Sequence, residues 1–84
     1  MNKDNVMVVF CIVNKGIRKD LDVPLNITAN ELVIALNSAY ELGIDTSSIK
    51  NRYLKAENPI ALLKGNKTLA EFGVRNGTVI YYTE

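Results

Sequence analysis

Residues 17–33 have the sequence IRKDLDVPLNITANELV, and within this stretch the spacing of the apolar residues changes. From Ile17 to Leu25 apolar side chains recur at every second position, with Lys19 as the one exception, which predicts a strand with one buried and one solvated side. Thr28 and Glu31 then form a capping-box pattern, in which each residue's side chain accepts a hydrogen bond from the other's backbone N–H. The stretch therefore predicts a strand followed by the start of a helix.

The residues before this stretch predict a second strand, and the residues after it complete the helix. Residues 6–13 are an unbroken apolar run, which predicts a central strand, and residues 14–16 predict a tight turn that closes a hairpin at Gly16. The helix is predicted over residues 29–42, with Gly43 taking the left-handed conformation that ends it. A hairpin followed by one helix is thus predicted for the first half.

The second half predicts shorter elements. Residues 49–56 and 60–63 predict two strands separated by Asn58-Pro59, and residues 68–73 predict a single helical turn capped by Thr68. Asn76-Gly77 predicts a turn before a last strand over residues 78–83, which we expect to pair parallel with the first strand. The fold class expected is α+β, a mixed four- to five-stranded sheet with one helix packed on one face.

Composition limits both size and chemistry. The chain has 84 residues, 48% of them hydrophobic, which predicts one domain over residues 1–84 with a substantial core. Ten Lys and Arg against nine Asp and Glu give a net charge of +1, too little for a general nucleic-acid binder. The chain contains no histidine and one cysteine, so the commonest general base and any disulfide within the chain are excluded.

The candidate enzymatic groups have simpler explanations. Asp20 and Asp22 share a strand face about 7 Å apart, but carboxylates on an edge strand usually serve to prevent edge pairing. Cys11 lacks a histidine to activate it and is predicted to be a small core residue. Residues 64–67 contain a glycine between lysines but lack the spacing of a phosphate-binding loop. We therefore predict no catalytic residue, no metal site, no cofactor and no enzymatic activity.

The order of elements and two longer stretches resemble a known group of proteins. Residues 68–74 (TLAEFGV) and 76–80 (NGTVI) are similar to the capped turn and closing strand of the ubiquitin-like β-grasp superfamily. Residues 21–25 (LDVPL), 30–36 (NELVIAL) and 61–74 resemble the YukD/EsaB family in particular. Those proteins are ubiquitin-like and are encoded with the type VII (WXG100) secretion machinery of Gram-positive bacteria. The resemblance implies an accessory or regulatory role in such a system, in the cytoplasm.

The C-terminal residues bear on a second function. Ubiquitin-like modifiers and sulfur carriers end in Gly-Gly, whereas residues 80–84 are IYYTE. If the natural chain ends there, we expect neither conjugation nor sulfur transfer. A modifier or carrier that has lost its tail, or a ubiquitin-like domain of a larger membrane secretion subunit, stays open as an alternative.

The first strand is apolar on both sides, so one of its sides must lie on the sheet face without the helix. Matching Gly16 to the ubiquitin-like hairpin turn places Met7, Val9, Cys11 and Val13 under the helix. Five residues are then expected on the open face as a protein-binding patch: Val8, Phe10, Ile12, Val79 and Tyr81.

These expectations give one functional hypothesis. The chain is predicted to be a non-catalytic, non-conjugated protein that binds a component of the secretion machinery, or a second copy of itself, through the open sheet face. No nucleic acid and no membrane insertion are expected, because the apolar run at 6–13 is far shorter than the roughly 20 residues of a spanning helix. Phe10→Asp and Tyr81→Asp are expected to abolish binding while the circular dichroism spectrum stays native.

Overall fold

The computed structural model describes residues 4–45, 47 and 53–83. Among them it forms a five-stranded mixed sheet with one α-helix. The elements are β1 (Asn5–Ile12), β2 (Ile17–Pro24), α1 (Ala29–Tyr40), β3 (Leu54–Glu57), β4 (Ala61–Leu63) and β5 (Val79–Tyr82).

The two longest strands form the predicted hairpin at one side of the sheet. The strand order is β2-β1-β5-β3-β4, so β1 is central and β2 lies at an edge. β5 pairs parallel with β1 and antiparallel with β3, as expected for the last strand. Pro24 has no N–H to donate, and it is tolerated because it is the last residue of this edge strand.

Both predicted capping interactions at the start of α1 are present. The Thr28 hydroxyl accepts a hydrogen bond from the Glu31 N–H at 3.1 Å, and the Glu31 carboxylate accepts one from the Thr28 N–H at 2.9 Å. Two further N–H groups of the first helical turn, those of Ala29 and Asn30, donate to backbone carbonyls of residues 67 and 65. All of these N–H groups lack partners within the helix itself, so the cap fixes where α1 begins.

The helix ends earlier than predicted. Tyr40 is its last residue, and Glu41 rather than Gly43 is the first to take a left-handed conformation. The cause is Asn37, whose side chain donates to the Ile44 carbonyl at 3.1 Å and accepts from the Ile44 N–H at 2.9 Å. These bonds turn the chain back so that Leu42 and Ile44 are both buried.

The core lies between α1 and one face of the sheet. Phe10 of β1 is fully buried, and its ring contacts that of Tyr40 at a centroid distance of 5.2 Å. The other large, fully buried apolar side chains are contributed by β1, α1, β3, β4, β5 and the loop before β5: Val8, Val33, Leu54, Leu63, Ile80 and Leu69.

The segment between β4 and β5 forms the predicted capped turn. The Thr68 hydroxyl accepts from the Glu71 N–H at 3.2 Å, and the Glu71 carboxylate accepts from the Thr68 N–H at 2.8 Å. Leu69 and Ala70 donate their N–H groups to the carbonyls of Ile27 and Leu25. The turn is thereby attached to the residues that precede α1, and Leu69 is buried beneath it.

The later strands lie close to their predicted positions. β3 ends at Glu57, one residue beyond the predicted end, and residues 49–52 of the predicted 49–56 strand lie outside the described residues. β4 and β5 each lie within their predicted ranges. The turn between β3 and β4 contains the Asn58–Pro59 peptide bond, which is cis.

Candidate functional site

The structure corrects the predicted orientation of β1. Val8 and Phe10 are fully buried and Ile12 is 2% exposed, so all of them face the helix. The prediction that these three residues lie on the open sheet face is wrong. The other two predicted patch residues, Val79 and Tyr81, do lie on that face, because they alternate with the buried Ile80.

The reason lies in the length of the hairpin turn. Val13–Lys15 forms a 3-10 turn closed by Gly16, so that Ile12 pairs directly with Ile17. Paired residues on neighbouring strands point to the same face of a sheet. Since Ile17, Leu21 and Val23 pack against the core, their partners on β1 are the even-numbered residues.

The open face of the sheet is therefore lined by the odd-numbered residues of β1. Met7 is 48% exposed, and Val9 and Cys11 are half-buried. Val79 pairs with Val9 and Tyr81 pairs with Cys11, so the two strands form one apolar strip at the centre of the sheet. We call these five residues the open-face strip: Met7, Val9, Cys11, Val79 and Tyr81.

Charged residues flank the open-face strip in two parallel rows that cross the strands. In the first, the Cys11 row, Arg18 of β2 and Lys55 of β3 lie at either side of Cys11 and Tyr81. Leu62 of β4, 42% exposed, extends this row beyond Lys55. An Arg18 guanidinium nitrogen lies 3.9 Å from the Cys11 sulfur, which confirms that both side chains share the face.

The second row, the Val9 row, carries the opposite charge. Asp20 pairs with Val9, and Glu57 pairs with Val79, so an acidic side chain lies at each side of the apolar pair. Arg18, Asp20, Lys55 and Glu57 are all exposed. The open face thus has an apolar centre, a basic row and an acidic row one pleat apart, about 7 Å along the strands.

A further exposed apolar residue lies at the β3–β4 turn. Ile60 is 91% exposed, and the turn that presents it is held by three hydrogen bonds. The Arg75 guanidinium donates to the Asn58 side-chain oxygen at 2.6 Å, and the Thr78 hydroxyl donates to the Asn58 carbonyl at 2.8 Å. The Arg75 N–H in turn donates to the Thr78 hydroxyl at 3.0 Å.

A shallow cleft of about 270 Å³ lies beside Tyr81, lined by residues of the α1–β3 connection, β3 and the end of β5. Its acidic group is Asp45. The hydroxyl and the N–H of Ser47 both donate to the Asp45 carboxylate and lower its pKa. Asp45 is therefore a carboxylate at neutral pH, which makes it a poor proton donor.

Within the described residues, no group of three or more histidine, cysteine, aspartate or glutamate side chains is placed to hold a metal ion. No helix in that part of the chain is long and apolar enough to cross a membrane.

The architecture defines the class to which the chain belongs. A mixed sheet with a parallel central pair and one helix across one face is the ubiquitin-like β-grasp fold. The C-terminal ubiquitin-like domain of mouse tubulin-specific chaperone e superposes with a TM-score of 0.71 at 12% identity, over 95% of this chain and 86% of that one. The UBL domain of Plasmodium falciparum Dsk2 gives 0.64 at 18% identity, over 94% and 96% of the respective chains.

A family model described as "WXG100 protein secretion system (Wss), protein YukD" matches residues 7–81. The chain belongs to the YukD family. A protein designed de novo on the basis of ubiquitin is also similar, with a TM-score of 0.64 at 16% identity over 95% of this chain and 88% of that one. No curated protein sequence matches the chain.

Proposed function

We propose that this chain is a non-catalytic protein-binding component of a WXG100 secretion system, and that it acts in the cytoplasm through the open-face strip. Its partner there is a protein of the secretion machinery. The observation that carries the proposal is the strip itself, five apolar or weakly polar side chains on adjoining central strands. The helix covers only the opposite face of the sheet.

The make-up of this face is that of a protein interface. Interfaces combine a desolvated centre, enriched in tyrosine and methionine, with a polar rim. Here Tyr81 and Met7 belong to the centre, and the charged ends of the two rows form the rim. The family description names YukD as a protein of the WXG100 secretion system, which supports a partner from the same system.

Two features support the remaining parts of the proposal. The sequence contains no histidine, and the acidic residues of the open face lie exposed at its rim rather than in a cleft. Acid–base catalysis is most often carried by histidine, or by a carboxyl group held within a water-excluding cleft. Cys11 carries a free thiol on the open face, which suits a reducing compartment such as the cytoplasm.

The test is site-specific crosslinking in cells that express the secretion system. A photoreactive amino acid is placed at position 81 or, as the matched control, at Ile34 on the exposed side of α1. We expect a secretion-system protein to be crosslinked from position 81 only, and Met7→Asp to prevent it. Crosslinking from both positions alike, or only to proteins outside the machinery, would overturn the proposal.

Export provides the functional readout. Met7→Asp places a charge in the strip without touching the core, because Met7 is among the most exposed apolar residues. We expect this variant to keep a native circular dichroism spectrum and to change the export of WXG100 substrates, whereas Ile34→Asp leaves export unchanged. Normal export from a folded Met7→Asp variant would contradict the role assigned to the strip.

A further inference from the structure

We infer that the open face also binds a second copy of this chain, in a two-fold symmetric dimer whose sheets pack face to face. This inference deepens the proposed function, since it assigns an occupant to the same surface. It rests on the arrangement of charge in the two rows, which is complementary to itself.

Each row carries one sign of charge at both of its ends. In the Cys11 row the ends are Arg18 and Lys55, and in the Val9 row they are Asp20 and Glu57. The rows are adjacent, and both cross the same four strands, β2, β1, β5 and β3. A matching surface must therefore place acidic side chains opposite the ends of the Cys11 row and basic side chains opposite the ends of the Val9 row. Between these charged ends it must present apolar groups.

A second copy does so under one particular symmetry operation. A two-fold axis that runs across the strands, midway between the rows, places the Cys11 row of one copy over the Val9 row of the other. Arg18 then lies opposite Asp20 of the second copy, and Lys55 lies opposite Glu57. Because the axis is two-fold, every such pair occurs twice, which is the property of an isologous interface.

The same operation matches the apolar residues. Cys11 and Tyr81 lie over Val9 and Val79 of the second copy, at the roughly 10 Å separation of packed sheets. Met7, which is 48% exposed, lies on the same face three residues from the axis and comes to lie opposite the hairpin turn of the second copy.

The other face-to-face arrangement is disfavoured by charge. A two-fold axis parallel to the strands would place each row over the same row of the second copy. Arg18 would then approach Lys55 of that copy, and Asp20 would approach its Glu57. Like charges placed opposite each other in an interface repel, and the crossed arrangement avoids this repulsion. The pattern of the rows therefore selects one of the two orientations.

The size of the face is typical of weak, reversible interfaces. Five strands spaced about 4.8 Å apart give a width of roughly 24 Å. Two such faces bury on the order of 1,000 Å² in total, at the lower end of specific interfaces. The dimer is thus weak and reversible, so that a secretion-system partner can displace the second copy.

The decisive experiment is charge reversal followed by sedimentation equilibrium. Arg18→Asp puts an acidic residue opposite Asp20 of the second copy, and Asp20→Arg puts two basic residues opposite each other. We expect each change to weaken self-association about tenfold or more. The double variant R18D/D20R restores both pairs in every dimer, and we expect it to associate as tightly as the unmodified protein.

The control reverses a charge on the same strand but on its other side. Lys19 is exposed and pairs with the buried Phe10, so it points away from the open face. Lys19→Glu is expected to leave the dimer unchanged. The three substituted positions, Arg18, Lys19 and Asp20, are all exposed, so none of these variants is expected to unfold.

Two outcomes would overturn the inference: a protein that stays monomeric up to about 1 mM, or a double variant that stays as weak as the single ones. Neither outcome touches the proposed function, because crosslinking from position 81 to a secretion-system protein is measured separately. Conversely, a dimer restored by the double swap without any secretion-system crosslink would support the inference and reject the proposed partner.

Discussion

At the scale of single residues, Thr78 links two parts of the chain that are distant in sequence. Its side chain is fully buried, and it is the one buried polar residue of the described core. The hydroxyl donates to the Asn58 carbonyl and accepts the Arg75 N–H, so both of its hydrogen-bonding roles are used. It thereby connects the β3–β4 turn to the loop before β5.

Replacing Thr78 with valine keeps the shape of the side chain and removes both hydrogen bonds. The Asn58 carbonyl and the Arg75 N–H are then left without this partner, which we expect to lower the free energy of unfolding by about 2 kcal/mol. Thr78→Ser keeps the hydroxyl and is the matched control. Urea unfolding measures both, and an unchanged stability of Thr78→Val would show that the hydroxyl does not contribute.

At the scale of secondary structure, the hairpin shows what the sequence could predict and where it misled. The alternation in β2 correctly indicates its buried side, because charged and apolar residues alternate there. β1 is apolar on both sides, so its own sequence carries no such signal. Its orientation follows only from the pairing across the turn, where the number of turn residues decides which set faces the core.

The sequence contained part of the information needed to orient β1. Any turn of two or four residues pairs the odd-numbered residues of β2 with the even-numbered ones of β1, as observed. Assigning Met7, Val9 and Cys11 to the core required an odd-numbered turn. Analogy to another family's hairpin therefore gave the wrong side, whereas the pairing arithmetic for the four-residue turn would have given the right one.

The corrected orientation makes a prediction about β1. Phe10→Asp is expected to unfold the protein, since burying an unpaired charge adds to the roughly 3–5 kcal/mol lost with the ring, against a total stability of about 4–13 kcal/mol. Met7→Asp, three residues earlier on the open face, is the matched control and should fold. Circular dichroism distinguishes them, and a native spectrum for Phe10→Asp would contradict the observed register.

Caps were predicted correctly because they are local. Thr28 with Glu31, and Thr68 with Glu71, are three residues apart, so their contacts follow from sequence alone. The end of α1 was not predicted, because it depends on a contact between Asn37 and Ile44 that forms only after the chain reverses.

The capped turn at residues 68–73 gives a prediction about pH. The N–H and the hydroxyl of Thr68 donate to the Glu71 carboxylate and lower its pKa below the usual value. A depressed pKa in the folded state contributes stability at a pH above the unfolded pKa of about 4.3, and this contribution is lost as the pH falls through the folded pKa.

Thr68→Ala removes the hydroxyl but keeps the backbone N–H. We expect the Glu71 pKa to rise part of the way towards its usual value, measured by NMR titration of the side-chain carboxyl carbon. Glu71→Gln should remove this group's contribution to the acid dependence of unfolding. An unchanged Glu71 pKa in Thr68→Ala would mean that the hydroxyl has no part in the shift.

At the scale of the whole molecule, one helix can cover only one of the two faces of the sheet. The other face is left to solvent, and in most antiparallel sheets it is polar. Here the central strands are apolar on both sides, so the fold leaves an apolar strip uncovered. The existence of this strip could be inferred from the sequence, and only the identity of its β1 residues needed the structure.

The single cysteine offers a direct measurement of what covers the strip. Cys11 lies at its centre, and in the proposed dimer it faces Val9 of the second copy. We expect the rate constant for its alkylation by N-ethylmaleimide to fall as the protein concentration rises through the dissociation constant of the dimer. R18D should abolish this dependence on concentration, and R18D/D20R should restore it. Because Arg18 lies beside the thiol, the comparison uses the concentration dependence rather than the absolute rate.

The control moves the thiol to the other side of the molecule. In a Cys11→Ser, Ile34→Cys variant, the only cysteine lies on the exposed side of α1, away from the open face. Its alkylation rate constant should be the same at every protein concentration. If Cys11 itself behaves in that way while the protein is folded, the strip is not covered by a second copy, and a protein of the secretion machinery is left as its only proposed occupant.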